Sequence, residues 1–112
     1  MRPGQITPTE LETAILERIA KEHPTLASLL GQLHVLSREF TGAGCYTTFA
    51  AIQPTPDLPD GYLSTDALVI VSGVSNSLGA VLACEAGCPK CLEIYTYGDE
   101  LWDGDSDGFT IE

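Results

Sequence analysis

The residues best placed to do chemistry are four cysteines, Cys45, Cys84, Cys88 and Cys91. The last three read Cys-x3-Cys-x2-Cys. Cys84 and Cys91 bracket Glu85-Ala86-Gly87-Cys88-Pro89-Lys90, which reads as the turn of a β-hairpin. On that reading Cys84 and Cys91 face each other at the base of the turn, Cys88 sits at its tip, and three thiolates converge. Such a turn suits tetrahedral zinc, so zinc is the metal to weigh, held by Cys84, Cys88 and Cys91. The pattern is partial. Zinc knuckles usually place glycine after the second cysteine, and Leu92 stands there. A structural site also wants a fourth ligand, for which Cys45 and His34 are on offer. Three other states fit the same residues. Cys88-Pro89-Lys90-Cys91 has redox spacing, but a strand follows it where a pKa-lowering helix N-terminus is the norm. A Cys84–Cys91 disulfide is disfavoured in a reducing compartment. Four free thiols, with Cys45 and Cys84 packed as small apolar groups, need no cofactor at all. The cofactor expectation is none, with zinc the alternative.

Asp103-Gly104-Asp105-Ser106-Asp107-Gly108 carries the first half of a calcium loop: carboxylates at positions 1, 3 and 5 and glycine at position 6. The glutamate of position 12 has no counterpart, and no helix follows, so an acidic solvated loop is the plainer reading. His23 and His34 sit in no Ser-His-Asp or Cys-His setting. Thr41-Gly42-Ala43-Gly44 lies between two strands and is no dinucleotide loop. The expectation is a protein that is not an enzyme.

Charge bounds the partners. The chain of 112 residues has a net charge of −11, with 5 basic and 16 acidic residues. Residues 57–112 hold eleven of the acids and one base, Lys90. Phosphate contacts need a Lys/Arg surface, so nucleic acid is excluded as a partner, and an anionic membrane surface with it. A basic protein partner is favoured, whose encounter such a field accelerates. Solubility alone is the other explanation of the charge. No apolar run approaches a membrane span and no apolar leader precedes the first helix, so the expected location is the cytoplasm.

The positioning elements follow from pattern. Thr7, Pro8 and Glu10 read as N-cap, N1 and N3 of a helix, with Ile6 and Leu11 as its hydrophobic staple. Leu11, Ala14, Ile15 and Ile19 give it an apolar face, Glu17 and Lys21 an i,i+4 pair, and Pro24 ends it near Glu22. A second short helix is expected over Pro24 to Leu30, closed by Gly31. Leu33–Thr41 and Cys45–Ile52 form a hairpin, residues 53–66 a proline-marked loop, and Ala67–Val71 a buried strand. Gly79–Cys84 and Cys91–Tyr97 form a second hairpin, and Phe109–Ile111 a short last strand. Helices first and strands after predict one α+β domain over 1–112, with one or two N-terminal helices on an antiparallel sheet of four to six strands.

Two segments resemble a family of short, functionally uncharacterised bacterial proteins. One is Arg38-Glu39-Phe40-Thr41-Gly42-Ala43-Gly44, followed by Tyr46 and Phe49. The other is Leu92-Glu93-Ile94-Tyr95-Thr96-Tyr97-Gly98-Asp99-Glu100-Leu101-Trp102. The resemblance spans about residues 36–102. It departs at Ile94, where the family tends to glycine, and at Leu101, where it tends to proline; the cysteine cluster lies outside it. It implies an α+β fold and no established activity. By size and charge alone the chain is similar to immunity proteins. The leading expectation is a non-enzymatic, inhibitor-like binding module. Its contact residues would be Glu93, Tyr95, Tyr97, Asp99, Glu100 and Trp102, aromatic anchors beside carboxylates. An exposed edge strand would also open a route to a homodimer.

Overall fold

A computed structural model describes residues 7–98 and 100–112. The chain opens with α1 (Glu10–Glu22) and the short α2 (Pro24–Ala27), followed by a 3-10 turn over Leu30–Gln32. The second helix is shorter than expected, and Gly31 lies inside the 3-10 turn that replaces its end. The N-cap of α1 is Thr9, with Glu12 at N3 completing the capping box. The sequence Thr7-Pro8-Thr9-Glu10-Leu11-Glu12 holds two such boxes offset by two residues. The box that forms is the one whose glutamate also meets the sheet. The staple through Ile6 lies outside the described residues. Leu11, Ile15, Leu16, Ile19 and Ala20 bury one side of α1. His23 ends it by donating its backbone N–H to Ile19 and Ala20. The expected Glu17–Lys21 pair does not form; the ion pair among the described residues is Arg38–Glu12.

Seven strands then build an antiparallel sheet, one more than the upper expectation. They are β1 (Val35–Phe40), β2 (Gly44–Phe49), β3 (Gly61–Ser64), β4 (Val69–Ile70), β5 (Leu78–Glu85), β6 (Cys88–Thr96) and β7 (Thr110–Ile111). The order is β1-β2-β6-β5-β4-β7, with β3 also paired to β5. The unexpected strand is β3. It pairs Gly61–Ser64 with Cys84–Val81, inside the stretch read as loop. Its prolines precede it rather than interrupt it.

Alternation along the strands gives the sheet two faces. Cys45 and Phe49 of β2, Leu63 of β3, Leu78, Ala80 and Leu82 of β5, and Leu92 and Ile94 of β6 join α1 and α2 in one buried cluster. Burying each large aliphatic side chain contributes roughly 1.5–3 kcal/mol. Both helices therefore cover one face, and the opposite face is left to polar and aromatic residues.

The β5–β6 hairpin differs from the sequence reading. Its connection is two residues, Ala86-Gly87, with Glu85 paired to Cys88. Both turn residues have positive φ, 53° at Ala86 and 78° at Gly87. That is the handedness that matches strand twist in a two-residue hairpin. Loop residues clasp the turn: Asp60 accepts from the Ala86 N–H, and Thr55 donates its N–H to the Gly87 carbonyl. Alanine is strained in this conformation and asparagine tolerates it. Ala86→Asn is expected to raise stability by about 0.5–1 kcal/mol in urea titration. An unchanged or lower midpoint would show that the turn sets no strain on Ala86.

Candidate functional site

The uncovered face of the sheet carries all four tyrosines of the chain. Register lines them up in rows. Glu39 lies opposite Tyr46, Tyr46 opposite Glu93, Glu93 opposite Val81, and Val81 opposite Ser64. The next row runs Thr48, Cys91, Ala83, Tyr62. The third runs Gly44, Tyr95, Gly79. Tyr46 is 41% exposed, Tyr97 41% and Tyr62 76%. Tyr95 and Tyr97 meet edge-to-face, with ring centroids 5.6 Å apart. They lie over Gly79, where an added Cβ would stand 2.6 Å from the Tyr97 hydroxyl and 2.7 Å from the Tyr95 ring. The glycine makes room for the pair.

Glu93 sits at the centre of this surface. Its charge, directly across the strands, holds the Tyr46 phenol above its ordinary pKa. Burial, with Tyr97 alongside, raises Tyr95 as well. Both phenols are therefore neutral donors at physiological pH. A depression of about 300 Å³ opens beside Tyr62, lined by Asp60, Ala83, Glu85 and Lys90 among others.

The expected contact residues divide. Glu93, Tyr95 and Tyr97 share the open face, and Tyr46 and Tyr62 join them through cross-strand pairing that local spacing does not reveal. Glu100 is engaged elsewhere: its carboxylate accepts the backbone N–H groups of Ser75 and Asn76, each at 2.8 Å. Trp102 is corrected from anchor to core. It is 5% exposed, meets Phe40 edge-on at 6.4 Å, and donates its indole N–H to the Asp105 carbonyl. Its neighbour Leu101 takes the solvent position, 76% exposed. Asp99 lies outside the described residues.

The three clustered cysteines are not brought together. Cys84 lies on the core face opposite Pro89, whereas Cys91 pairs with Ala83 on the open face. The register shift between Ala83 and Cys84 places one extra residue, Lys90, in β6 and breaks the expected Cys84–Cys91 facing. Cys88 is buried against the Ile52 carbonyl. Among the described residues no three His, Cys, Asp or Glu side chains form a group that could hold a metal. Burial pushes Cys84 up to about 11 and raises Cys45 and Cys91 too, so all three are thiols rather than thiolates near neutral pH. In the acidic loop Asp103 accepts from the Asp105 N–H and Asp105 from the Asp107 N–H. Those carboxylates brace the loop's own backbone.

Sequence reading missed the most constrained polar group. Glu12 is 3% exposed. One oxygen accepts from the Thr9 N–H at 2.8 Å and from the Arg38 Nη2 at 2.7 Å. The other accepts from the Arg38 Nε at 2.9 Å and from the Thr47 hydroxyl at 2.7 Å. Thr47 is itself fully buried. Burial opposes the charge on Glu12, but the hydrogen bonds of Arg38, Thr47 and Thr9 and the Arg38 charge outweigh it and bring its pKa below the ordinary value. The motif Arg38-Glu39-Phe40 thus has a structural use for its arginine. The signal that could have found it is a Thr-x-x-Glu box whose glutamate falls on the apolar side of α1.

Because folding lowers this pKa, the ionised carboxylate stabilises the fold above about pH 4.5, and that contribution fades as pH falls through the folded value. Arg38→Met leaves a buried charge unpaired and is expected to cost about 3 kcal/mol at pH 7. Glu12→Met combined with Arg38→Met should cost less than the sum of the two single changes. Urea midpoints between pH 3 and 7 check both statements. Additive costs, or a Glu12→Gln variant with the pH dependence of the parent, would refute this account.

Comparison with protein-family models, with curated proteins and with solved structures finds no match for this chain, so its geometry alone carries the functional reading.

Proposed function

We propose that this chain is a protein-binding module of the inhibitor or immunity type, which engages a basic partner through the open face of its sheet. The observation that carries this reading is that Tyr46, Tyr62, Tyr95 and Tyr97 share with Glu93 a sheet face that no helix among the described residues covers. Tyrosine is a good contact residue there. It offers a large amphipathic surface with two side-chain torsions to immobilise, and its hydroxyl supplies a directed hydrogen bond. Beneath it lies a rigid sheet rather than a loop, so little order is lost on docking. The polarity fits a cation-bearing partner. Glu39 and Glu93 flank Tyr46 in one row, and the phenols are neutral donors whose ring faces attract lysine and arginine. Gly79 lets the Tyr95 and Tyr97 rings lie down on the sheet, while Tyr46 and Tyr62 are exposed beside them. A partner's basic side chains would lie against these ring faces.

The partner is a protein rather than a nucleic acid, because the surface offers carboxylates where phosphates need cations. No helix among the described residues is long and apolar enough to cross a membrane.

The reading is tested by affinity capture followed by calorimetry on the captured protein. The retained protein is expected to be basic and to bind several-fold more weakly at 500 mM than at 50 mM salt. Tyr46→Ala and Glu93→Gln should each weaken binding by roughly tenfold or more while leaving the urea midpoint within about 0.5 kcal/mol of the parent. A partner that binds equally well to both variants, or one indifferent to salt, would rule out the tyrosine face as the contact surface.

A further inference from the structure

A groove of about 680 Å³ runs between α1 and β7. It lies on the helix side of the sheet, so it is separate from the tyrosine face and does not depend on that reading. Ala14 of α1 and Phe109 and Ile111 make its walls apolar, and Arg18 and Lys21 stand along the helix side. The cations matter in a chain of net charge −11. The described basic residues are Arg18, Lys21, Arg38 and Lys90, and Arg38 is held by Glu12. The groove therefore collects two of the remaining three. Neither is ion-paired among the described residues; even Glu17, one turn from Lys21 and also at the groove, leaves it unpaired.

The opposite wall is the end of the sheet. β7 pairs with β4 alone. The Leu68 N–H donates to the Glu112 carbonyl at 3.1 Å and the Glu112 N–H donates to the Leu68 carbonyl at 2.9 Å. Residues 68 and 112 are thus a hydrogen-bonded pair. The adjacent pair, Val69 and Ile111, is then the non-bonded kind, and Ile111 turns its N–H and carbonyl away from β4. An unpaired strand edge of this sort is a template for another strand.

We propose that this groove receives an extended acidic segment of a partner protein, which adds to β7 as a further strand and sets its carboxylates against Arg18 and Lys21. Strand addition gives affinity through the main chain, and alternate side chains give selectivity. In an extended segment alternate side chains fall on opposite faces, so one set, the carboxylates, would turn to the helix side and reach Arg18 and Lys21 past Ala14 and Ile111. A basic segment would meet two positive charges, Arg18 and Lys21, against the one carboxylate of Glu17, and be disfavoured.

The probe is a fluorescein-labelled octapeptide of alternating glutamate and valine, followed by anisotropy at 50 mM salt. Two controls are its lysine–valine counterpart and a version N-methylated on alternate residues, which cannot donate to a strand edge. The parent chain is expected to bind the acidic peptide and not the basic one. The N-methylated peptide should bind at least about tenfold more weakly, and Arg18→Gln with Lys21→Gln should lose about tenfold. Both substitutions are on the surface of α1, and circular dichroism confirms an intact fold. Equal binding of the two charge types, an N-methylated peptide that binds as well as its parent, or no binding of the acidic peptide at millimolar concentration overturns the proposal. Self-association in sedimentation that the double variant abolishes also overturns it, because the occupant would then be a second copy of this chain.

Discussion

One carboxylate joins the helix to the sheet. Glu12 closes the N-terminus of α1, grips Arg38 of β1 and takes the hydroxyl of Thr47 of β2. Removing a carboxylate from water is costly, and the cost is offset only when each oxygen is well supplied with donors. Here each has two. The four donors come from the N-cap of α1 and from both strands of the β1–β2 hairpin, so the arrangement exists only when helix and hairpin are docked in one orientation. An apolar interface alone would tolerate sliding of α1 along the sheet; a bidentate arginine does not. The charge fixes the placement, and the aliphatic cluster around it supplies most of the burial energy.

That placement decides what the rest of the molecule presents. With α1 and α2 on one side, the strands must be apolar on that side only, and β2, β5 and β6 alternate accordingly. The other side is kept soluble by Glu39, Glu93, Thr48 and Ser64 and is furnished with tyrosine. The sheet's outer strands are short or irregular. β7 has two residues, and β1 carries a register shift between Val35 and Ser37 that leaves Leu36 out of the ladder. Such a bulge disturbs edge pairing.

The sequence made the helix-then-hairpin order, the end of α1 and the apolar faces legible, because each rests on a local rule of periodicity or capping. It was silent wherever one pattern allowed two solutions. Two overlapping Thr-x-x-Glu boxes are locally equivalent, and only Arg38 and Thr47, 26 and 35 residues away, discriminate between them. A Gly-containing stretch between two strands admits a long turn or a tight one. The loop at Thr55 and Asp60 selects the tight one, and with it the bulge that separates Cys84 from Cys91. Of the site, the spacing of Glu93, Tyr95 and Tyr97 on one strand face was readable. That Tyr46 and Tyr62 share the face was not, since cross-strand register is a tertiary fact. Trp102 was misread because an aromatic residue in an acidic stretch looks exposed, whereas its indole pins that stretch to Phe40 and the core.

The acidity of the second half also changes meaning once the folded chain is known. A run of carboxylates invites reading as one interaction surface. Yet Asp60, Glu100, Asp103 and Asp105 each accept backbone N–H groups of turns and loops. Those segments lie outside the strand ladders, and buried or crowded N–H groups without partners are costly. Asp103 and Asp105 brace the loop two residues on, and Asp60 and Glu100 reach connections 24 to 26 residues away. Four of the eleven acids of residues 57–112 thus have a use in building the connections of a small sheet. Glu93 in that half, like Glu39 in the first, instead stands in register with Tyr46 on the sheet face opposite the helices, where its charge shapes a surface rather than a loop.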